Sequence, residues 1–142
     1  MMIQNRRASF DYELLESFET GIALTGSEVK SLRQGGATLQ EAFARIKSGE
    51  VWLEGMHIPP YQDASYNNHE PRRSRKLLLK RREIAEIKKG LERQGLTLVP
   101  TKLYFKDGWA KLVVALGRGK KRYDKRQDQA KKDAQRQMER AR

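Results

Sequence analysis

Catalysis by side chains needs an acid–base pair, an activated nucleophile or a cluster of metal ligands. This sequence is poor in all three. It has two histidines, His57 and His69, and no cysteine. Thiolate nucleophiles, thiolate metal sites and disulfides are thereby excluded. The histidines stand neither at a metal-ligand spacing nor in a catalytic motif. His57 falls in a strand pattern and reads as structural. His69 lies in a polar loop beside Arg72 and Arg73, where it is either solvated or a phosphate or base contact. Gly117-Arg118-Gly119-Lys120 has the composition of a phosphate loop but not its spacing, and it lacks the Ser or Thr that would follow the lysine. Neither a Walker motif nor a GxSxG elbow is present. An enzyme is not expected, nor is any cofactor or metal.

The abundant chemistry is positive charge, which suits phosphate. The net charge is +12 over 142 residues, a balance that favours RNA, DNA or an anionic membrane. The charge is uneven: residues 118–142 hold 11 Lys/Arg against 4 Asp/Glu. A second concentration is PRRSRKLLLKRRE, with Arg72, Arg73, Arg75, Lys76, Lys80, Arg81 and Arg82. Charge runs are usually solvated faces. Here they interleave with Leu77-Leu78-Leu79, which must be buried somewhere and would anchor the charges on a rigid surface facing phosphates. Among the carboxylates, Glu28 has a local explanation as part of a capping box. Glu19, in SFETGIAL, has none. It is either solvated or an acceptor from a base amino group.

The elements that would position these residues follow from turns and caps. Residues 1–9 read as a basic polar arm, and one or two strands are expected between Phe10 and Leu24. Thr25-Gly26-Ser27-Glu28 is a capping-box pattern, with Leu24 and Val29 as its staple. It opens a helix near 26–34 that turns Val29 and Leu32 inward and stops at Gly35-Gly36. Thr38–Lys47 and Val51–Ile58 flank Ser48-Gly49-Glu50 as a hairpin, which Pro59-Pro60 ends. Residues 61–74 are turn-rich. Ile84, Ile87 and Leu91 define a helical face from about Lys80, ending at Gly95. The Leu triplet before it is either a strand end or the first helical turn. Thr97–Phe105 and Trp109–Leu116 flank Asp107-Gly108, a strong hairpin signal. The fold class expected is mainly β with flanking helices, an OB-like β-barrel over 1–117. No apolar run is long enough for a transmembrane helix, and MMIQNRRASF has no apolar core of the kind a signal peptide needs. The expected setting is cytoplasmic.

Residues 118–142 form a basic tail. Ala130, Ala134 and Met138 make a thin apolar stripe, too little to order a helix alone. The tail is expected to be disordered when free and helical against nucleic acid, whose phosphates would relieve its self-repulsion. The stripe is too poor for a membrane surface.

The segments NRRASFDY, GIALTGSEVKSLR, NHEPRRSRKLLL, GLTLVP, YF and GKKRYDKR, in this order from Asn5 to the tail, resemble the SmpB family, the small partners of tmRNA (the SsrA RNA) in bacteria. The resemblance implies an OB-like barrel that binds the tRNA-like end of tmRNA and stands where an anticodon arm would be. It implies delivery of alanyl-tmRNA by elongation factor Tu with GTP to ribosomes stalled without a codon, followed by tagging of the nascent chain for degradation. It implies that the tail lies in the decoding centre, against small-subunit rRNA, and continues as a helix into the empty mRNA channel. By the same resemblance Glu19 and Leu78 match tmRNA-binding positions. Asn68, Arg72, Arg75 and Lys76 fall on the basic RNA-facing loop; His69, from its place in that loop, is counted with them as an RNA-binding candidate. Lys80 stands where other members can have a neutral polar residue. In the tail, Lys120 and Lys121 precede Tyr123, placed to stack on a decoding-site base, and Asp124-Lys125-Arg126, the motif linked to tag initiation. Ala134 and Ala141 depart from members with bulkier residues there. The alternative reading is a ribosomal or general single-strand RNA-binding OB protein.

Overall fold

A computed structural model gives the structure of the protein over residues 2–62 and 68–120. Its elements in chain order are β1 (Met2–Gln4), α1 (Arg7–Asp11), β2 (Tyr12–Ile22), α2 (Gly26–Arg33), β3 (Phe43–Lys47), β4 (Glu50–Glu54), β5 (Arg75–Leu78), α3 (Arg81–Arg93), β6 (Thr97–Lys106) and β7 (Trp109–Gly119). The protein is mainly β: seven strands form one antiparallel sheet in the order β1-β6-β3-β4-β5-β2-β7. A further pairing of β6 with β7 closes six of them into a ring, leaving β1 on the outer edge of β6. The join of β3 to β6 is the thinnest, a single register pair, Ala44 with Leu98.

Both hairpin turns are set locally. Ser48 and Gly49 have φ of 53° and 76°, and Asp107 and Gly108 have φ of 52° and 81°. Two successive left-handed residues make the turn whose twist matches that of the flanking strands. The α2 cap is the one expected: Glu28 N–H donates to Thr25 Oγ1, and Thr25 N–H donates to Glu28 Oε1 at 2.8 Å. Leu32 is fully buried, while Val29 is half-buried. The Leu triplet is a strand end rather than a helical turn: Leu77 and Leu78 lie in β5, with Leu77 inside the ring, Leu79 follows the strand, and α3 begins at Arg81.

The ring encloses one core, which includes Phe18, Leu53, Leu77, Leu98, Leu103, Leu112 and Val114. From outside, α3 adds Ile87 and α2 adds Leu32. Strand irregularities have local causes. Pro100 has no N–H to give the ladder, and β6 bulges between Pro100 and Lys102. The freed Thr101 hydroxyl donates to Val113 O at 3.1 Å.

Two sequence expectations need correction. The basic arm is structured: Ile3 packs on the core, β1 pairs with β6, and Asn5 ties down the turn through Nδ2–H donating to Pro100 O at 2.9 Å. Strand β7 also runs on through Arg118 and Gly119, two residues counted with the tail from sequence.

Candidate nucleic-acid interface

Residues directly opposite each other in a sheet point to the same side. One row therefore crosses four strands: Leu78 on β5, Gly21 on β2, Lys111 on β7 and Tyr104 on β6. A parallel row carries Glu19, Val113 and Lys102, and the hairpin end carries Trp109 opposite Lys106. Leu78 is 53% exposed and Trp109 73%, whereas their alternates Leu77, Leu103 and Leu112 are buried. These rows are thus the outer face of the ring. Gly21 has a reason to be glycine, since a Cβ there would come within 3.2 Å of Leu78 Cβ. Its absence lets Leu78 lie over β2.

Glu19 is the centre of this face. The Tyr104 hydroxyl reaches across β7 and donates to Glu19 Oε2, and Lys106 Nζ stands 3.8 Å from Oε1. The Tyr104 hydrogen bond, with help from Lys106, Lys111 and Lys102, holds the Glu19 carboxyl below its ordinary value of 4.5 despite some desolvation. The same bond raises the Tyr104 phenol above its ordinary value. Lys102 Nζ lies 5.6 Å from the Tyr104 ring centroid. The face thus offers an ionised acceptor, three ammonium groups matched to phosphates, and two exposed apolar side chains.

A second constellation sits behind the basic loop, inside the protein. Arg75 and Glu28 are both buried, with the Arg75 Nε–H donating to Glu28 Oε2. Arg73 Nη2 donates to the other oxygen at 2.5 Å. Burial alone would push the Glu28 carboxyl up, but the hydrogen bonds from Arg73, Thr25 and Arg75 outweigh it and the carboxyl is lowered. Burial lowers the Arg75 guanidinium, and Glu28 opposes that. A guanidinium is basic enough that it stays charged even so. The remaining Arg75 donors close the loop: Nη1 donates to Met56 O at 2.8 Å and Nη2 to Pro71 O at 3.1 Å. Two neighbours complete the clamp. His69 Nε2 meets Ile58 O at 2.8 Å and its Nδ1 meets Ser27 Oγ at 2.9 Å. A carbonyl can only accept, so Nε2 carries a proton and donates to Ile58 O. Asn68 Nδ2 donates to Tyr61 O at 2.9 Å while its Oδ1 accepts from Tyr61 N at 3.1 Å.

These placements sort the candidate residues. Glu19 and Leu78 share the outer face. Lys76 points outward two residues before Leu78, 3.8 Å from Glu50. Arg72 is exposed, with Nη1 donating to Gly55 O at 3.1 Å and lying 3.7 Å from Glu41. Arg75 and His69 are corrected: an RNA-facing surface position was expected for Arg75, and a solvated or RNA-contacting one for His69, which does lie in the loop, but both are buried and their ring and guanidinium groups bond inside the protein. The reason is the Glu28 carboxylate, which cannot be buried without cations and recruits the nearest arginine of the loop. Lys120 is exposed and its N–H donates to Asp11 O at 2.8 Å. Lys121, Tyr123, Asp124, Lys125 and Arg126 lie outside the described residues. Tyr104, Trp109, Lys102, Lys106 and Lys111 were not singled out from sequence. Their shared parity with exposed positions along β6 and β7 was the available signal. Among the described residues, no group of three or more His, Asp or Glu could hold a metal, and no helix is long and apolar enough to cross a membrane.

The model of the family described as "SmpB protein" matches residues 2–142. An SsrA-binding protein of Saccharopolyspora erythraea is 57% identical over 141 residues, covering 99% of this chain and 89% of the relative. One of Deinococcus radiodurans is 58% identical over 134 residues, covering 94% of each. A solved chain from a study described as "tmRNA-SmpB: a journey to the center of the bacterial ribosome" is 51% identical, covers 85% of each chain and superposes with a TM-score of 0.70. With a family model matched over residues 2–142 and relatives of 57–58% identity, the chain belongs to the SmpB family.

Proposed function

We propose that this protein binds the tRNA-like domain of tmRNA and carries it to stalled ribosomes for trans-translation, standing in for an anticodon arm. It acts by binding rather than catalysis, in the cytoplasm, with elongation factor Tu and GTP engaged through alanyl-tmRNA. The closed ring of strands is read as an OB-like barrel, and its outer face as the RNA surface. The observation that carries this reading is the pairing of Glu19 with Leu78 on one exposed face amid Lys102, Lys106 and Lys111, in a chain whose named relatives are SsrA-binding proteins. A folded RNA elbow is recognised through shape, phosphates and 2′-hydroxyls. A carboxylate among lysines can accept from a hydroxyl or amino group while the cations meet the backbone. Arg72 and Lys76 extend the basic surface, and Asn68, His69 and Arg75 hold it from behind.

Residues 118–142 are the ribosome-binding tail in this reading, with Lys120, Lys121, Tyr123, Asp124, Lys125 and Arg126 in the decoding centre and the following segment helical in the empty mRNA channel. Sequencing the RNA that co-purifies with the protein tests the first surface. One dominant species with a tRNA-like end is expected; a broad mixture would favour a general RNA-binding protein. Replacing Asp124, Lys125 and Arg126 by Ala tests the second. Tagging should be lost with tmRNA affinity retained, and a collapse of that affinity would end the division into two surfaces.

A further inference from the structure

We propose that Trp109 is a stacking platform for one unpaired nucleobase of the RNA that meets Glu19 and Leu78; the inference rests on the tmRNA-binding reading and extends it. A single exposed apolar residue is ordinary, but Trp109 has three further features. First, it begins β7 immediately after the Asp107-Gly108 turn, whose two left-handed residues fix its position. Second, it borders a cleft of about 350 Å³ walled by Ile22, Leu24, Val29, Leu78 and Phe105. Leu78 belongs both to this cleft and to the face that carries Glu19, so the two are continuous. Third, the rim is cationic. Lys106 sits opposite Trp109 across the hairpin, Lys111 lies two residues along the same face, and the Arg33 guanidinium is 5.2 Å from the Phe105 ring centroid.

An indole and an apolar wall ringed by cations match one class of occupant, a nucleotide. The flat base would take the apolar surface and the flanking phosphates would take the lysines. Bases inside an A-form helix are already stacked and cannot present a ring face. The base must therefore come from a loop. Recognition on this face then reads one splayed-out nucleotide in addition to shape.

The test uses the full chain. Trp52 and Trp109 are its two tryptophans, so Trp52→Phe leaves Trp109 as the reporter. Titration with a transcript of the tRNA-like half of tmRNA should quench the Trp109 emission. Trp109→Ala should weaken binding about 5- to 150-fold, the range of one base–aromatic stack. Trp109→Phe should recover most of it, with melting temperatures unchanged because the side chain lies at an exposed tip. An abasic site at one loop nucleotide of the RNA should cost as much as Trp109→Ala, and the two together should cost no more than either alone. RNA that binds tightly without moving the Trp109 emission, and equally well to Trp109→Ala, overturns the stacking platform and leaves the tmRNA reading standing. A wild-type chain that does not bind this RNA overturns both.

Discussion

Glu28 splits its two oxygens: Oε1 accepts from Thr25 and Arg73, and Oε2 from Arg75. Glu28→Gln keeps the shape and removes the charge that two guanidiniums face. Breaking a buried pair on one side costs about 3–5 kcal/mol, and urea denaturation at neutral pH should read a loss of that size. The pH dependence has a definite sign. The folded Glu28 carboxyl lies below its ordinary value of 4.5. Its stabilisation is therefore complete above 4.5 and is lost as the pH falls through the lowered folded value. Stability measured across that acid range should fall less steeply in Glu28→Gln than in the parent. Arg75→Lys, a nominally conservative change, leaves Met56 O and Pro71 O without donors in the same geometry. It should lower the melting temperature, and any loss of RNA affinity should track that destabilisation rather than a lost phosphate contact.

The β6–β7 hairpin presents Lys102, Tyr104, Lys106, Trp109 and Lys111 on one side because its turn fixes the register. Gly108 sits at φ 81°, which a β-branched residue resists by roughly 1–2 kcal/mol. Gly108→Val should lower thermal stability by about that amount. It should also weaken RNA binding beyond the stability loss, since the turn aims Trp109 and Lys106; equal RNA affinity in a destabilised variant would detach the hairpin tip from the interface. The hairpin, the α2 capping box and the α3 stripe were legible in the sequence because each is decided within a few residues. Residues 2–9 were not. Their order depends on β6, about a hundred positions away, which pairs with Met2–Gln4.

Across the whole molecule, a net charge of +12 makes RNA affinity a function of salt. Affinity should fall linearly with the logarithm of salt concentration. Replacing Lys102, Lys106 and Lys111 by Ala, singly and together, should flatten the slope by roughly one for each lysine that meets a phosphate. A slope unmoved by all three would place the phosphates elsewhere. Ion pairs such as Lys106 with Glu19, at 3.8 Å and exposed, add little stability of their own. Their value on this face is that the lysines remain available to an incoming phosphate.

The chain alone determined its charge, its turns, its caps and the absence of thiol chemistry, because composition and short-range sterics do not depend on distant partners. It also carried enough ordered motifs to mark the family. Only the tertiary structure decided which arginine of the basic loop is buried on Glu28, that His69 clamps backbone, and that Glu19, Leu78, Tyr104 and Trp109 share one face. Those outcomes depend on which strands pair and in what register. Strand pairing is a contest among segments far apart in sequence, and a strand slipped by one residue would turn its member of the Glu19, Leu78, Tyr104 and Trp109 set to the other side of the sheet.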